Sequence, residues 1–334
     1  QSGRRQRQMC IRDSAGGAYI KTYLKDENIL VYDENYIHTW PKHPYDYLVE
    51  IIKERKWDKL CIGLEMDAHY FTAFCYEKIK QGLPNAKIKD SDRLVNWARL
   101  VKSDAEIGFM KSAAKISEKG MKTAMEVINP GVRQCDAVGE IQKTLFYGTE
   151  EFGGEYSSIA TLLPTGKGTS ASHLTATQDK FVEGEATIIE LSGVYKRYHA
   201  PMARTVLLGK PNQLKIDTMN KTIEALNAGI SQIKPGNTAD DVAQAFWKIL
   251  DKYGIEKKSR TGYSIGIGYP PDWGEHTLNI YKGDMTVLEP NVCFHMIAVM
   301  QFGDWGVEAS EAIRVTENGS ELFCNFPKEL HIKS

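Results

Sequence analysis

The sequence is poor in cysteine and has no closely spaced cysteine pair. Six cysteines are scattered over 334 residues, and none forms a C-x-x-C motif. Disulfide-stapled secreted domains and cysteine-ligated zinc sites both need clustered cysteines, so neither class is indicated. We expect the thiols to be reduced core residues of a cytoplasmic protein.

The chain also lacks an excess of charge of one sign, and it lacks a long apolar run. Its 42 Lys and Arg nearly balance its 43 Asp and Glu, which leaves a net charge of −1. Nucleic-acid-binding domains are usually strongly basic, so we expect no nucleic-acid partner. A membrane-spanning helix needs about 20 consecutive apolar residues. No stretch of the sequence approaches that, so we expect neither a membrane partner nor a secretory signal peptide.

Behind an unusual start, the first part of the chain predicts a small α/β domain. Residues 1–16 show almost no apolar periodicity, and we interpret them as a disordered or non-native leader, with a basic arm as the alternative. Residues 17–93 alternate between strand-like and helix-like stretches. The predicted strands are 29–32, 60–64 and 86–88, and the predicted helices are 44–55 and 70–81. Residues 94–102 are predicted to be a linker.

Residues 103–334 predict a larger domain that contains an internal repeat. Ser103 and Glu106 have the spacing of a helix capping box, and the long helix that follows should end at Pro130-Gly131. A second helix is predicted from Asp136. The same order returns at Pro235-Gly236 and Asp241, and strand-like sequence follows each helix pair, over 156–163 and from 287 onward. Such a duplication predicts two pseudo-symmetric halves around one cleft.

The stretch 188–208 predicts a strand, a turn near Ser192-Gly193 and a returning strand. Glu190 lies in the first apolar strand, where burial of a carboxylate is costly without a partner. Two interpretations remain open at this point. Glu190 is either a site residue or a structural acid paired with Arg197 or Arg204.

Several motifs make the chain resemble a known family. They are Leu94-Val95-Asn96-Trp97, His173-Leu174-Thr175, Tyr195-Lys196-Arg197-Tyr198-His199, Arg260-Thr261-Gly262-Tyr263 and Tyr269-Pro270-Pro271-Asp272-Trp273-Gly274-Glu275. A small α/β domain before a duplicated helix-and-sheet domain is similar to creatinase, prolidase and methionine aminopeptidase. The motifs are most similar to the ectoine hydrolase branch of that family. The resemblance implies an α+β fold with a pita-bread catalytic domain, preceded by an N-terminal domain that is shortened here.

The resemblance also allows a test for metal. Metal-dependent members of the family use two Asp, one His and two Glu to hold two divalent ions. Aligned on Arg204-Thr205, these five positions fall on Glu190, Pro201, Tyr263, Ile297 and Ser310, with Glu308 and Glu311 close to the last. At most one ligand-type residue remains, so we predict no metal and no cofactor. Strand alternation lets only one of Glu308 and Glu311 face the cleft.

The resemblance places the chemistry on Glu190, as nucleophile or general base, with His173 as a proton shuttle. We predict that Trp273 stacks on a flat cationic ring and that Asp272 or Glu275 pairs with its charge. This region should be an irregular loop, because it is rich in Gly and Pro. A lid with ordinary capping acids is the alternative. The predicted substrate-binding residues are Tyr198, His199, Tyr263, Asp272, Trp273, Glu275, His295 and Glu308.

The function that the resemblance implies is metal-independent hydrolysis of the cyclic amidine ectoine to N-acetyl-2,4-diaminobutyrate. It further implies a cytoplasmic homodimer that works before a diaminobutyrate deacetylase. One alternative is a creatinase-like amidinohydrolase for another small zwitterion. The other is a catalytically inactive pita-bread module that binds peptides or proteins.

Overall fold

The computed structural model describes residues 17, 19, 20, 24–210 and 212–334. The predicted leader, residues 1–16, lies outside the described residues. The chain divides into two compact units, residues 1–98 and 99–334. Among the described residues, no helix combines the length and the apolar character that crossing a bilayer demands.

The first unit is built on two parallel strands and the helices beside them. Helix α1 starts at Pro44, where His43 and Asp46 form a capping box. The helix core residues Val49 and Ile52 pack against Ile79 of the second helix. The elements are α1 (Pro44–Glu54), β1 (Cys61–Leu64), α2 (Ala73–Gly82), β2 (Lys87–Asp90) and α3 (Leu94–Ala98). The predicted helices 44–55 and 70–81 and the strands 60–64 and 86–88 are confirmed within a few residues.

One prediction for this unit is wrong. Residues 29–32 are not a strand, although Ile29 has extended backbone angles. In the described part of the unit, β1 and β2 pair with each other, and 29–32 has no ladder partner, without which extended chain is not a strand. The predicted linker 94–102 begins with a short helix, α3, and its role as a linker stays a prediction.

The second unit carries two helix pairs and a sheet of eight strands among its described residues. Its elements are α4 (Asp104–Val127), α5 (Gln134–Tyr147), β3 (Ala186–Tyr195), β4 (Tyr198–Leu208), α6 (Gln213–Ile230), α7 (Ala239–Lys252), β5 (Gly262–Tyr269), β6 (Asp272–Asn279), β7 (Cys293–Gln301), β8 (Gly306–Val315), β9 (Ser320–Leu322) and β10 (Leu330–Lys333). The capping box predicted for Ser103 and Glu106 is present.

The two helix pairs end their first helix in the same way. Gly131 and Gly236 have φ values of +85° and +88°, a region that glycine occupies without steric cost. The Gly131 N–H donates to the Phe181 carbonyl at 2.9 Å, and the Gly236 N–H donates to the Leu288 carbonyl at 3.0 Å. These matching turns support the predicted internal duplication at the level of backbone hydrogen bonds.

The hairpin of β3 and β4 turns later in the chain than predicted. Its turn lies at Lys196 and Arg197, both with positive φ, which matches the two-residue hairpin geometry that suits twisted strands. Ser192-Gly193 is not the turn but part of β3, paired with Ala200 and Pro201. A second correction concerns residues 156–163, which form no strand beyond a single bridging residue, Leu162.

Gly193 is needed for packing rather than for a turn. A Cβ there would lie 2.3 Å from the Ala113 carbonyl oxygen and 2.6 Å from the Ser117 amide nitrogen, both in α4. Ser117 also donates its hydroxyl to the Ala200 carbonyl at 2.6 Å and accepts from the Gly193 N–H at 2.7 Å. The backbone of β3 therefore lies directly on α4.

We expect Gly193→Ala to destabilise the second unit by about 1–3 kcal/mol, because the new methyl group overlaps backbone atoms that cannot move aside. Gly139 is the control, since it lies in α5 and a methyl group there would meet no atom within 4 Å. Gly139→Ala should stabilise by about 0.5–1 kcal/mol. Urea denaturation of both variants measures the difference, and equal effects would contradict the packing argument.

Candidate active site

A row of four directly paired residues crosses the middle of the sheet. Glu190 on β3 pairs with Ala203 on β4, Ala203 pairs with Ser310 on β8, and Ser310 pairs with Ile297 on β7. Directly paired residues point to the same face of a sheet. Glu190 and Ser310 therefore share one face, and the small side chain of Ala203 lies between them.

Glu190 is buried and has no arginine partner among the described residues. Only 7% of the residue is exposed, and in the described part of the chain no Lys or Arg lies within 4.0 Å of its carboxylate. Arg204 pairs instead with Glu311 at 2.7 Å, and Arg197 bonds the Gly268 carbonyl at 2.9 Å. The structural alternative, in which Glu190 pairs with either arginine, is therefore wrong.

A second buried acid, Glu308, stands on the same face. It is two residues from Ser310 on β8, so alternation places both on the side of Glu190. Burial, reinforced by the negative charge of Glu308, raises the pKa of Glu190 well above its usual value. Burial raises the pKa of Glu308 to about 7, with the Lys257 charge acting in the opposite direction. Glu311 lies on the opposite face with Arg204, so the predicted alternation of the two acids is confirmed.

His295 and Tyr263 complete the group around Glu190. His295 Nδ1 lies 4.0 Å from Glu190 Oε1 and 3.3 Å from the Tyr263 hydroxyl. His295 Nε2 lies 2.6 Å from Ser310 Oγ. Burial lowers the pKa of His295 to about 3, so the ring is neutral at physiological pH. The Tyr263 hydroxyl also accepts from the indole N–H of Trp273 at 2.7 Å.

The prediction of an irregular loop around Trp273 is wrong, because this region forms the β5–β6 hairpin. Its glycines let neighbours approach: a Cβ on Gly266 would lie 2.3 Å from a Glu275 carboxylate oxygen, and one on Gly268 would lie 3.0 Å from the Trp273 backbone. In this hairpin, glycine allows close packing within the sheet and does not mark a flexible turn. Trp273 itself is completely buried, and its contact with substrate stays a prediction.

Two other predicted substrate-binding residues are hydrogen-bonded to partners other than Glu190. The Tyr198 hydroxyl donates to Glu106 at 2.6 Å, on the opposite face of β4 from Ala203. His199 accepts from the Ser158 N–H at 3.1 Å through Nε2, and burial, reinforced by the Arg197 charge, lowers the pKa of His199 to about 3.

Glu275 and Asp272 also have partners within the second unit. Glu275 is buried against Lys102, with a distance of 2.6 Å between Glu275 Oε2 and Lys102 Nζ. Asp272 accepts from the Gly274 N–H at 2.9 Å. Although burial acts in the other direction, hydrogen bonds from His276 and Gly274 lower the pKa of Asp272 to about 2. The charge of Asp272 nevertheless acts on Tyr263, whose pKa it raises, and contact of either acid with substrate stays a prediction.

His173 lies in an exposed segment next to the strand that carries Glu190. Its φ is +65°. The segment is connected to the site through Leu162, which bridges to both Thr175 and Glu190. The described contacts do not bring the imidazole to Glu190, and its role as proton shuttle stays a prediction.

Sequence reasoning overlooked Lys257. It precedes β5 in the run Glu256-Lys257-Lys258-Ser259-Arg260, which has the composition of a solvated loop. Burial lowers the pKa of Lys257 to about 8, while the charge of Glu308 acts in the opposite direction. No local pattern distinguishes Lys257 from Lys258, since only the folded chain brings one of them near Glu308.

Comparison with known proteins identifies the protein family to which this chain belongs. The model of metallopeptidase family M24 matches residues 108–317, and that of the creatinase/prolidase N-terminal domain matches residues 5–101. The chain belongs to metallopeptidase family M24, with the pita-bread fold of that family. It is a hydrolase that acts on C–N bonds.

Within the family, the chain is similar to ectoine hydrolase from Halomonas elongata, with 41% identity over 96% of this chain and 82% of the relative. An uncharacterized hydrolase/peptidase from Sinorhizobium fredii is 37% identical over 95% of this chain and 81% of its own length. Among solved structures, an Xaa-Pro dipeptidase from Bacillus anthracis superposes with a TM-score of 0.78, 22% identity and 99% coverage of both chains.

The residues at the family's metal positions do not fit a pair of ions. Pro201 pairs within β4 and has no ligand atom. Tyr263, His295 and Ser310 are hydrogen-bonded to one another through their only polar side-chain atoms. Around Glu190, no three His, Cys, Asp or Glu ligand atoms of the described residues lie within 4.8 Å of one another. A dinuclear centre needs several carboxylates at one point.

We expect Glu308→Gln to stabilise the protein increasingly as the pH rises. The folded pKa of Glu308, about 7, exceeds its usual value. The stability that the neutral acid contributes is therefore complete below about pH 4.5 and is lost as the pH rises through 7. Glutamine stays neutral, so its advantage over wild type should grow by up to about 3 kcal/mol between pH 5 and pH 8.

Urea denaturation at both pH values measures this change. Glu150→Gln, at an exposed glutamate, is the control and should show no such growth. A difference between wild type and Glu308→Gln that is the same at pH 5 and pH 8 would refute the assignment.

Proposed function

We propose that the protein hydrolyses the cyclic amidine ectoine to N-acetyl-2,4-diaminobutyrate without a metal ion. The observation that carries this proposal is the pair of buried acids, Glu190 and Glu308, which share one face while no Lys or Arg of the described residues pairs with Glu190. The 41% identity to an ectoine hydrolase supports the substrate class.

The acid pair suits a cationic substrate. An amidinium spreads one positive charge over its N–C–N unit, and a cation beside buried carboxyl groups favours their ionised form. Glu190 would thus be mainly neutral in the empty site and become a carboxylate when the substrate enters. Binding of the cation would in this way generate the reactive group only where it is needed.

The ring opening adds one water molecule overall. Glu190 either attacks the amidine carbon to form a covalent adduct or takes a proton from water that attacks the same carbon. Both routes give a tetrahedral carbon. A C–N bond then breaks as its nitrogen takes a proton, for which Glu308 on the same face, with a pKa of about 7, is the proposed donor. In the covalent route, water then attacks the carbon that is still bound to Glu190, and the C–O bond to Glu190 breaks to release the amide product and the free carboxylate.

Other parts of the proposal concern binding and assembly. Lys257, near Glu308, is suited to attract the substrate carboxylate. His173 is proposed as a second proton carrier at the exposed side of the site. We further propose a cytoplasmic homodimer whose product passes to a diaminobutyrate deacetylase.

We expect Glu190→Gln to lower kcat for ectoine by at least about 10³-fold, because an amide is neither a nucleophile nor a base. The measurement is product formation by NMR with ectoine, hydroxyectoine and creatine as substrates. Glu150→Gln should behave as wild type. Turnover of creatine but not of ectoine, or an unaffected Glu190→Gln, would overturn the proposal.

We expect ring opening to continue after dialysis against EDTA, because the donor set does not fit a metal pair. Activity and bound metal, by elemental analysis, are measured on the same sample. Loss of activity that Mn²⁺ or Fe²⁺ restores would contradict metal independence while leaving the choice of substrate intact.

A further inference from the structure

Trp273 begins a chain of hydrogen bonds that ends beside Glu190. Its indole nitrogen donates to the Tyr263 hydroxyl at 2.7 Å. That hydroxyl lies 3.3 Å from His295 Nδ1, and His295 Nε2 lies 2.6 Å from Ser310 Oγ. Trp273, His295 and Ser310 are completely buried, so water does not compete for these contacts.

The positions of the hydrogens follow from the indole. An indole N–H can only donate, so the Tyr263 oxygen must be the acceptor. Tyr263 retains one hydrogen, and its other described side-chain partner is His295 Nδ1. If Nδ1 accepts that hydrogen, Nε2 must carry the ring hydrogen and donate it to Ser310, because the buried ring is neutral.

We propose that Trp273 is a positioning residue: through Tyr263 it holds His295 in the Nε2–H tautomer and keeps a hydrogen-bond donor away from Glu190. The tautomer itself is independent of the reaction. The consequence for catalysis rests on the proposed function of Glu190.

The geometry makes the tautomer matter for Glu190. His295 Nδ1 lies 4.0 Å from Glu190 Oε1, about 1 Å beyond hydrogen-bonding distance. A hydrogen on Nδ1 would need only a small movement to reach the carboxylate. Such a bond stabilises the ionised acid, lowers its pKa and weakens it as a nucleophile or base. Trp273 prevents this by directing the Tyr263 hydrogen onto Nδ1.

Other titratable groups also shift the pKa values of this cluster, so they must be considered when a pH profile is interpreted. The negative charge of Glu308 raises the pKa of Glu190. Burial raises the pKa of Tyr263, Glu190 and Asp272 raise it further, and Arg260 lowers it. Lys257 acts on Glu308. None of these groups changes when Trp273 is replaced by phenylalanine, so a shift in that variant reports the hydrogen-bond chain.

The direct test is ¹⁵N NMR of protein with labelled histidine. The His295 signal is assigned among the eight histidines by its loss in His295→Gln. In wild type we expect a protonated Nε2 and an unprotonated Nδ1. In Trp273→Phe, and in Tyr263→Phe as a second variant, we expect a hydrogen to appear on Nδ1. Trp57→Phe, at an exposed tryptophan of the first unit, is the control and should leave the signal unchanged.

A protonated Nδ1 in wild type would overturn the proposal, as would an unchanged His295 signal in both variants. Should Trp273→Phe fail to fold, the wild-type spectrum and Tyr263→Phe still decide the tautomer.

Kinetics test the link to Glu190. In Trp273→Phe, a hydrogen bond from Nδ1 lowers the pKa of Glu190. The acidic limb of the kcat/KM profile for ectoine should therefore move down by about one pH unit. We expect kcat to fall about tenfold while KM changes little. A tautomer change without a shift of the limb would overturn the link to Glu190. Absence of any ectoine turnover in wild type would refute the proposed function, while the NMR result would still stand.

Discussion

The site depends on the burial of two acids that no arginine of the described residues neutralises. Glu190 and Glu308 share one face of the sheet, and the nearby arginine, Arg204, is used on the opposite face to bind Glu311 at 2.7 Å. A buried carboxyl without a partner favours its neutral form. The two acids therefore favour their neutral forms, and the uncharged residues around them, such as His295 and Tyr263, supply no compensating charge.

Close packing against the backbone at two glycines keeps these groups in place. Gly193 lets β3 rest on α4, and Gly266 lets β5 approach Glu275, which Lys102 holds at 2.6 Å. The hydrogen-bond chain from Trp273 to Ser310 is built on the same sheet. Rigid strands hold functional groups more accurately than loops do. Such accuracy is needed if the Tyr263 hydroxyl is to donate its hydrogen to His295 Nδ1.

Much of the architecture could be predicted because its signals are local. The Ser103 capping box, the paired Pro-Gly turns and the apolar run around Glu190 each lie within a few residues of sequence, and all correspond to elements of the structure. The errors arose where one local sequence pattern is compatible with two different structures. Glycine and proline in 262–275 resembled a loop but serve a tightly packed hairpin, and the β-branched stretch 29–32 lacks the neighbour that would make it a strand.

The sequence by itself determined the division into two units, the repeat, the family resemblance and Glu190 as a candidate acid of the site, because residue type and short spacing carry that information. Only the tertiary structure decided that Arg204 pairs with Glu311, that the charge of Lys257 rather than Lys258 acts on Glu308, and that Trp273 bonds Tyr263 beside His295. These pairings join residues far apart in the chain. They depend on strand register, which moves a side chain to the opposite face with each single-residue shift.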